Sequence, residues 1–224
     1  MTSMMKLIEP ICKRDQVVST IKMAILAGEI EPGETIVESK TAQRLGVGIP
    51  LVREALIELE HAGYVQRIPY KGTTVTKLKR KDVERVFRLR GELEALAIEW
   101  AKENATAANI KELRDVIERM KRAAIDLDLE RFYENDLRFH RKIWEMSDNP
   151  YLADALERIV APLFAFFAMK TSRQRESHLE IAQAHEKVVE ALTQMSLEDM
   201  RIVMKKSVEG WKDEMLNRLL PEDL

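Results

Sequence analysis

The sequence has few of the features that mark secreted, membrane or highly charged proteins. Cys12 is the only cysteine, so no disulfide can form within the chain, which suits a reducing compartment. The longest apolar run, Ile159–Met169, has eleven residues, whereas a membrane-spanning helix needs about 20. The N-terminus shows no secretion signal. We therefore expect a cytoplasmic protein with no membrane partner.

The sequence also has no excess of charge of one sign. Its 36 Lys and Arg residues against 38 Asp and Glu residues give a net charge of −2, so the whole chain has no general attraction to nucleic acid. Residues 1–78 contain 10 Lys and Arg residues and 9 Asp and Glu residues, a net of +1. The hydrophobic content of 46% is enough to form a core.

Glycine is scarce and unevenly distributed, and this divides the chain. Six of the eight glycines lie in the first third, and only Gly91 and Gly210 follow. The shift predicts a compact, turn-rich domain over residues 1–78 and a long-helix domain over residues 79–224. The charged stretch Thr76–Glu84 is the expected connector.

Apolar spacing and turn residues predict a mostly α fold. Val17, Ile21 and Ile25 have a helical period, and two further short helices are expected to end at Gly46 and Gly63. Two short strands around "PYKG" follow, which completes the order of a winged helix-turn-helix with a small β-hairpin. The remainder predicts about six helices with short breaks, typical of an antiparallel all-α bundle. Their expected ranges are roughly Asp82–Asn104, Ala108–Leu127, Leu129–Ser147, Pro150–Met169, Glu176–Met195 and Leu197–Leu220.

A helix-turn-helix inserts the start of its second helix into the major groove, and here that start is residues 48–54. Arg53 is the cation best placed to reach a guanine edge or a phosphate. The other candidate DNA-contacting residues are Lys40, Arg44, Arg67, Tyr70, Lys71 and Gly72. A net charge of +1 is small for a domain that must neutralise phosphates, so a role in protein contact is the alternative.

Candidate metal ligands lie in the second domain. Asp136 and His140, in "DLRFH", are four residues apart and therefore share one helical face. They either form a surface ion pair near Arg138 and Arg141 or bind a cation together with ligands from other helices, such as His185. His178, two helical turns before His185, is expected to be an exposed histidine at a helix start; the alternative is that it faces the same cavity as His185.

Arg90 and Glu94 are a second pair at a spacing of four residues. One interpretation is an ion pair that stabilises the helix by a few tenths of a kcal/mol. The other is that Arg90 faces a cavity and binds the carboxylate of a small-molecule effector through two hydrogen bonds. The sequence leaves both open.

Several motifs in fixed order resemble a known family. "GEIEPGE", "LGV", "VREAL", "AGYV" and "KGTTV" resemble the DNA-binding domain of GntR-type bacterial transcriptional regulators. "RLRGELEALAIEWA", "DLRFH", "SDNPYL" and "AHEKVVEAL" resemble the FCD effector domain of the FadR branch. The chain departs from that family at Gly48–Leu51, where members commonly have Ser-Arg-Thr-Pro, so Ile49 stands where an arginine often reads a base.

The resemblance implies a metal site. In FCD domains an aspartate and three histidines from three helices hold a divalent metal, and Asp136, His140 and His185 match three of those positions. The fourth aligns with Ser207, a poor ligand for zinc or nickel. We therefore expect a zinc or nickel site with three protein ligands, and an effector that contacts Arg90 and Ser207.

These points together predict a ligand-responsive, DNA-binding transcriptional regulator rather than an enzyme. Its partners would be a double-stranded DNA operator and a small carboxylate effector. A homodimer is expected because one weakly charged winged-helix domain binds DNA poorly, whereas two linked domains gain effective concentration. The alternatives are a metal-dependent enzyme using Asp136, His140 and His185, or a metabolite-binding module whose winged helix no longer binds DNA. No general base or nucleophile is evident beside the three ligands, which disfavours the enzyme.

Overall fold

The structure is a computed structural model that describes residues 13–171 and 178–220. The chain divides into two compact units, one up to Val75 and the other from Thr76 onward. Cys12 and the expected start of a helix at Glu176 lie outside the described residues. No helix in the described ranges combines the length and hydropathy that crossing a membrane requires.

The first unit has the winged helix-turn-helix fold that the sequence predicts. Its elements are α1 (Lys13–Leu26), β1 (Thr35–Ile36), α2 (Glu38–Leu45), α3 (Ile49–His61), β2 (Val65–Ile68) and β3 (Gly72–Val75). The sheet order is β1-β3-β2, with β3 antiparallel to both neighbours. β1 was not predicted, because two residues are too short to show an alternating pattern.

Helix α1 packs against the buried face of the recognition helix α3. Val17, Ile21 and Ile25 of α1 are buried, as are Val52 and Leu56 of α3, and the two helices pack against each other. Between α2 and α3, Gly46 has φ +66°, and its N–H bonds back to the carbonyl of Gln43. This left-handed cap, which glycine adopts without steric penalty, ends α2 and permits the tight turn into α3.

In the part of the second unit that the structure describes, the regular secondary structure is all α-helix. Its elements are α4 (Arg80–Glu103), α5 (Ala107–Ile125), α6 (Leu129–Met146), α7 (Pro150–Thr171), α8 (Leu179–Gln194) and α9 (Leu197–Leu219). Side-chain caps fix three of the helix starts, because Thr106, Asp128 and Ser196 each accept a hydrogen bond from the backbone N–H three residues later. Helix α7 continues through Pro162.

The packing of these helices places α4 and α6 at the centre of the bundle. Helix α4 packs against α6, α7, α8 and α9, while α6 also packs against α5 and α7. Polar side chains from α4, α6 and α8 are buried among them. The bundle therefore encloses charged groups in its interior, and these groups form the candidate site.

Candidate functional sites

The start of the recognition helix is open to solvent. Gly48 precedes α3 in an extended conformation, and Pro50 occupies its first turn, where the missing proline N–H has no intrahelical partner to lose. Ile49 and Arg53 are exposed, Arg53 by 56% of its side chain. Pro50 and Glu54 are exposed as well, so the groups that would meet a DNA groove at this end are one cation, one carboxylate and two apolar side chains.

All three predicted DNA-contacting arginines are paired with an acidic residue of their own unit. Arg53 Nη2 lies 2.8 Å from Glu38 Oε2, and this contact raises the pKa of the guanidinium. Arg44 pairs with Glu29, and Arg67 with Glu60, each at 3.3 Å. Exposed pairs of this kind contribute little to stability, so phosphate oxygens can replace these carboxylates.

The hairpin of β2 and β3 carries three of the four remaining candidates. Tyr70, Lys71 and Gly72 lie at or beside the turn between β2 and β3, and all are exposed. Tyr70 has φ 64°, a conformation that costs energy for a residue other than glycine, and Gly72 has φ 83°. Lys40 is exposed on α2. All seven residues predicted to contact DNA are thus on the surface of the first unit.

The second unit contains a cavity of about 260 Å³. It is lined by residues of α4, α6, α7, α8 and α9 that include Arg90, Asp136, His140, Phe164, His185, Ser207 and Trp211. Charged groups thus line one part of the cavity and aromatic rings another. A volume just below the usual range for ligand sites suits a small metabolite.

Asp136, His140 and His185 converge at this cavity. All three are buried, and one ligand atom from each lies within 4.8 Å of the other two. Asp136 Oδ1 is 3.0 Å from Nε2 of His185 and 3.5 Å from Nε2 of His140. The interpretation of Asp136 and His140 as a surface pair is therefore wrong, since α4 and α8 cover that face of α6.

The polar contacts of the cluster are incomplete. Asp136 Oδ1 is a buried oxygen that accepts no hydrogen bond from the described residues. Nδ1 of His185 lies 2.7 Å from the carbonyl oxygen of Ile181, and since a carbonyl only accepts, this nitrogen carries the proton. The other ring nitrogen of His185, Nε2, faces the carboxylate of Asp136 at 3.0 Å. Two electron-rich atoms this close require a proton or a metal between them.

Glu94 holds His140 from the opposite side. Its Oε1 lies 3.0 Å from His140 Nδ1 and 3.1 Å from Arg90 Nε, and its Oε2 accepts a hydrogen bond of 3.0 Å from Trp144 Nε1. Nδ1 of His140, like Asp136 Oδ1, makes no hydrogen bond with the described residues, so the contact with Glu94 is electrostatic, and carboxylates commonly stand beside metal-binding histidines in this way. Glu94 was predicted only as a partner of Arg90, and no sequence signal connected it with His140 or Trp144.

The cluster is charged as a metal site requires. Burial would raise the pKa of Glu94, but His140, Arg90 and Trp144 outweigh burial and lower that pKa to about 2. Burial also opposes ionisation of Asp136, yet His185, His140 and Arg90 keep the pKa of its carboxyl below the ordinary value. Burial lowers the pKa of His140 and so favours the neutral ring. Ionised carboxylates and neutral imidazoles are the forms that bind metal.

These residues fit a divalent transition metal. Nitrogen and oxygen ligands in this combination suit zinc or nickel, and three protein ligands leave positions open for other molecules. Ser207 lines the same cavity but is exposed. Arg90 also lines it and is 3% exposed, with Nη2 2.8 Å from His140 Nε2. The Arg90–Glu94 pair is thus buried and belongs to the cavity wall.

The structure corrects the prediction for His178. This residue does precede a helix, α8, but it is buried rather than exposed. Its Nε2 lies 3.1 Å from the hydroxyl of Tyr133, whose oxygen also accepts a hydrogen bond from Thr171. His178 therefore belongs to a separate polar cluster and is not among the three candidate ligands.

Each of the two units matches a known protein family. Residues 85–210, more than half of the chain, match the FCD domain family. Residues 13–75 match the family of bacterial regulatory proteins described as gntR. Asp136, His140 and His185 all fall within the FCD match, and the predicted DNA-contacting residues fall within the gntR match.

Individual relatives are transcriptional regulators. The chain is 28% identical over 144 residues to the HTH-type transcriptional regulator McbR of Escherichia coli K12, a match that covers 64% of this chain and 65% of that protein. It is 29% identical over 177 residues to a probable D-xylose utilization operon transcriptional repressor of Paenarthrobacter nicotinovorans, covering 79% and 77% of the two chains. The matched families and relatives are regulators rather than enzymes.

Solved structures share the fold. The structure of E. coli McbR/YncC superposes with a TM-score of 0.72 at 22% identity and covers 93% of this chain and 99% of that one. A GntR regulator from Rhodococcus sp. RHA1 gives a TM-score of 0.70 at 16% identity over 92% and 98% of the two chains. A winged helix-turn-helix joined to a helical domain is thus a known architecture.

Proposed function

Because this chain belongs to the GntR family of bacterial regulatory proteins, in the branch that carries an FCD domain, we propose that it is a ligand-responsive transcriptional regulator. In this proposal a homodimer binds a double-stranded DNA operator through its two winged helices. The FCD domain binds a divalent metal and a small carboxylate effector. The observation that carries the metal and effector part is the buried, unsatisfied Asp136 Oδ1 between two histidines at a cavity.

The DNA-binding part rests on the surface of the first unit. Arg53 lies in the first half of the recognition helix, exposed and held by Glu38, so its guanidinium is positioned before DNA arrives. Lys40, Arg44, Arg67 and Lys71 are exposed cations that can contact phosphates. Ile49 offers an apolar contact to a thymine methyl group in place of a hydrogen-bonding side chain.

The effector part rests on the chemistry of the cavity. Asp136, His140 and His185 would hold the metal, which when bound acts as a Lewis acid that attracts an anionic oxygen to its open positions. Arg90 places a positive charge on the cavity wall, and Ser207 adds a hydroxyl. Asp136 and Glu180 balance the charges of Arg90 and Lys206 in the cavity lining, so a bound divalent metal would make the cavity net positive and favour a carboxylate over a neutral or cationic ligand.

One experiment tests the DNA-binding part. Pure protein, freed of metal with a chelator, is used to select sequences from random double-stranded DNA, with and without added zinc. We expect selection of a two-fold symmetric sequence, since a dimer presents two equal heads. If no sequence is enriched in either condition, the winged helix does not read DNA, and the alternative of a metabolite-binding module with an inactive DNA-binding domain is correct.

A second experiment tests the effector. Small mono- and dicarboxylates and their amides are compared by the shift that they cause in thermal unfolding of the zinc-loaded protein. A ligand that binds only the folded state raises the unfolding temperature. We expect a carboxylate to do so and its matched amide not to. Equal shifts from acids and amides would show that carboxylate charge is not recognised.

A further inference from the structure

We propose that Arg90 occupies the metal's place on His140 in the metal-free protein and that metal binding must displace it. This inference rests on the proposed metal site and concerns how that site is regulated. The contact that carries it is the 2.8 Å distance between Nη2 of Arg90 and Nε2 of His140. Both side chains are buried, with Arg90 3% exposed.

The direction of this hydrogen bond is fixed by chemistry. A guanidinium has only donors and stays protonated, so Nε2 of His140 must be the acceptor. The proton of the neutral ring is then on Nδ1, which faces Oε1 of Glu94 at 3.0 Å. The lone pair of Nε2 is therefore already engaged by Arg90.

Nε2 is also the atom of His140 that a shared metal would use. It faces Asp136 Oδ1 at 3.5 Å, whereas Nδ1 faces Glu94 on the other side of the ring. One nitrogen lone pair cannot bind a metal and accept a hydrogen bond from Arg90 at the same time. Metal and guanidinium are thus mutually exclusive partners of this atom.

The surroundings of Arg90 keep it in place when metal is absent. Its Nε contacts Glu94 Oε1 at 3.1 Å, and its guanidinium carbon lies 5.0 Å from the centre of the Phe164 ring, a cation–π distance. The contact to Glu94 does not involve Nη2, so the exchange can break the bond to His140 while the ion pair to Glu94 remains. Arg90 acts as an internal cation that sets how much metal is needed to load the site.

The test is zinc affinity, measured by competition with a chelating dye on chelator-treated protein. Arg90→Gln removes the competing cation, and Arg90→Lys keeps the charge but lacks the planar fork that reaches Glu94 and His140 together. Arg88→Gln, on an exposed position of the same helix, is the matched control for loss of a positive charge. Thermal unfolding confirms that each variant folds, and the lysine variant retains a partner for Glu94.

We expect both Arg90 variants to bind zinc about tenfold more tightly than the parent, the value of one hydrogen bond to a charged group, and Arg88→Gln to match the parent. If neither Arg90 variant gains affinity, there is no exchange. If only Arg90→Gln gains, simple charge repulsion is responsible, and the exchange is also overturned.

A further variant separates this inference from the proposed metal site. If the parent binds zinc and His140→Ala weakens that binding, the metal site stands whatever the Arg90 variants show. If neither the parent nor any Arg90 variant binds zinc, both the metal site and the exchange fail.

Discussion

Nε2 of His185 lies 3.0 Å from Oδ1 of Asp136, and that oxygen accepts no hydrogen bond from the described residues. The opposite nitrogen of His185 is committed to the carbonyl of Ile181. The pair joins α8 to α6 inside the bundle, where an unsatisfied carboxylate oxygen is costly. A cation shared by both atoms and by His140 removes that cost, and this is the physical basis of the proposed metal site.

The first prediction concerns His140→Ala. It removes one of three ligands, so zinc affinity should fall by more than the roughly 10- to 100-fold that loss of an outer-shell partner costs. His61→Ala, an exposed histidine in the last turn of α3, is the control and should bind zinc as the parent does. Metal titration of chelated protein measures both. Equal affinities for parent and His140→Ala would mean that "DLRFH" is only a helix face.

The second prediction concerns Ser207→His. Ser207 lines the cavity that the three ligands share, so an imidazole there should complete the metal shell and tighten zinc binding by about tenfold or more. Glu209→His places a histidine two residues further along α9, outside the residues that line this cavity, and serves as the control. A gain in the control as large as in Ser207→His would show a nonspecific effect of the added histidine.

The third prediction concerns Arg53→Ala. Arg53 is the exposed cation of the recognition helix, and Ile49 provides no alternative donor, so specific binding to the selected operator should fall to the level of unrelated DNA. Arg14→Ala in α1 removes a comparably exposed arginine, 47% against 56%, and should leave operator affinity nearly unchanged. Fluorescence anisotropy measures both variants. Retained operator affinity in Arg53→Ala would mean that another element reads the bases.

The fourth prediction is a homodimer at micromolar concentration. Residues 1–78 have a net charge of +1, which is too small for one head to hold DNA by phosphate neutralisation alone. Two linked heads gain effective concentration on a two-fold operator. Light scattering should give twice the mass of a single chain, and a monomer would contradict the expectation.

Periodicity was sufficient to predict the helical architecture. The predicted helices of the second domain agree with the structure to within about two residues at most ends; for example Leu129–Ser147 was expected and α6 is Leu129–Met146. The spacing of four residues correctly placed Asp136 and His140 on one face. Burial of that face depends on α4 and α8, which are distant in sequence, so spacing alone, with Arg138 and Arg141 nearby, favours a surface pair.

Contacts between distant residues were the part that sequence could not supply. Glu94 and Trp144 are 50 positions apart, and their hydrogen bond shows in no local pattern. The position of His178 at a helix start favours an exposed side chain, yet the hydroxyl of Tyr133, 45 positions away, contacts its Nε2 and compensates for its burial. The contact of Arg90 with His140, which joins α4 to α6, also shows in no local sequence pattern.

A ligand-responsive regulator of the proposed kind requires that occupancy of the FCD-domain site change DNA binding. The most direct test is the dissociation constant for the selected operator, measured with and without zinc, in the parent and in His140→Ala. Coupling between two sites typically changes affinity about 5- to 150-fold, so we expect a change of at least about fivefold in the parent and none in His140→Ala. An operator affinity that ignores zinc in the parent, or that responds equally in His140→Ala, would contradict the account.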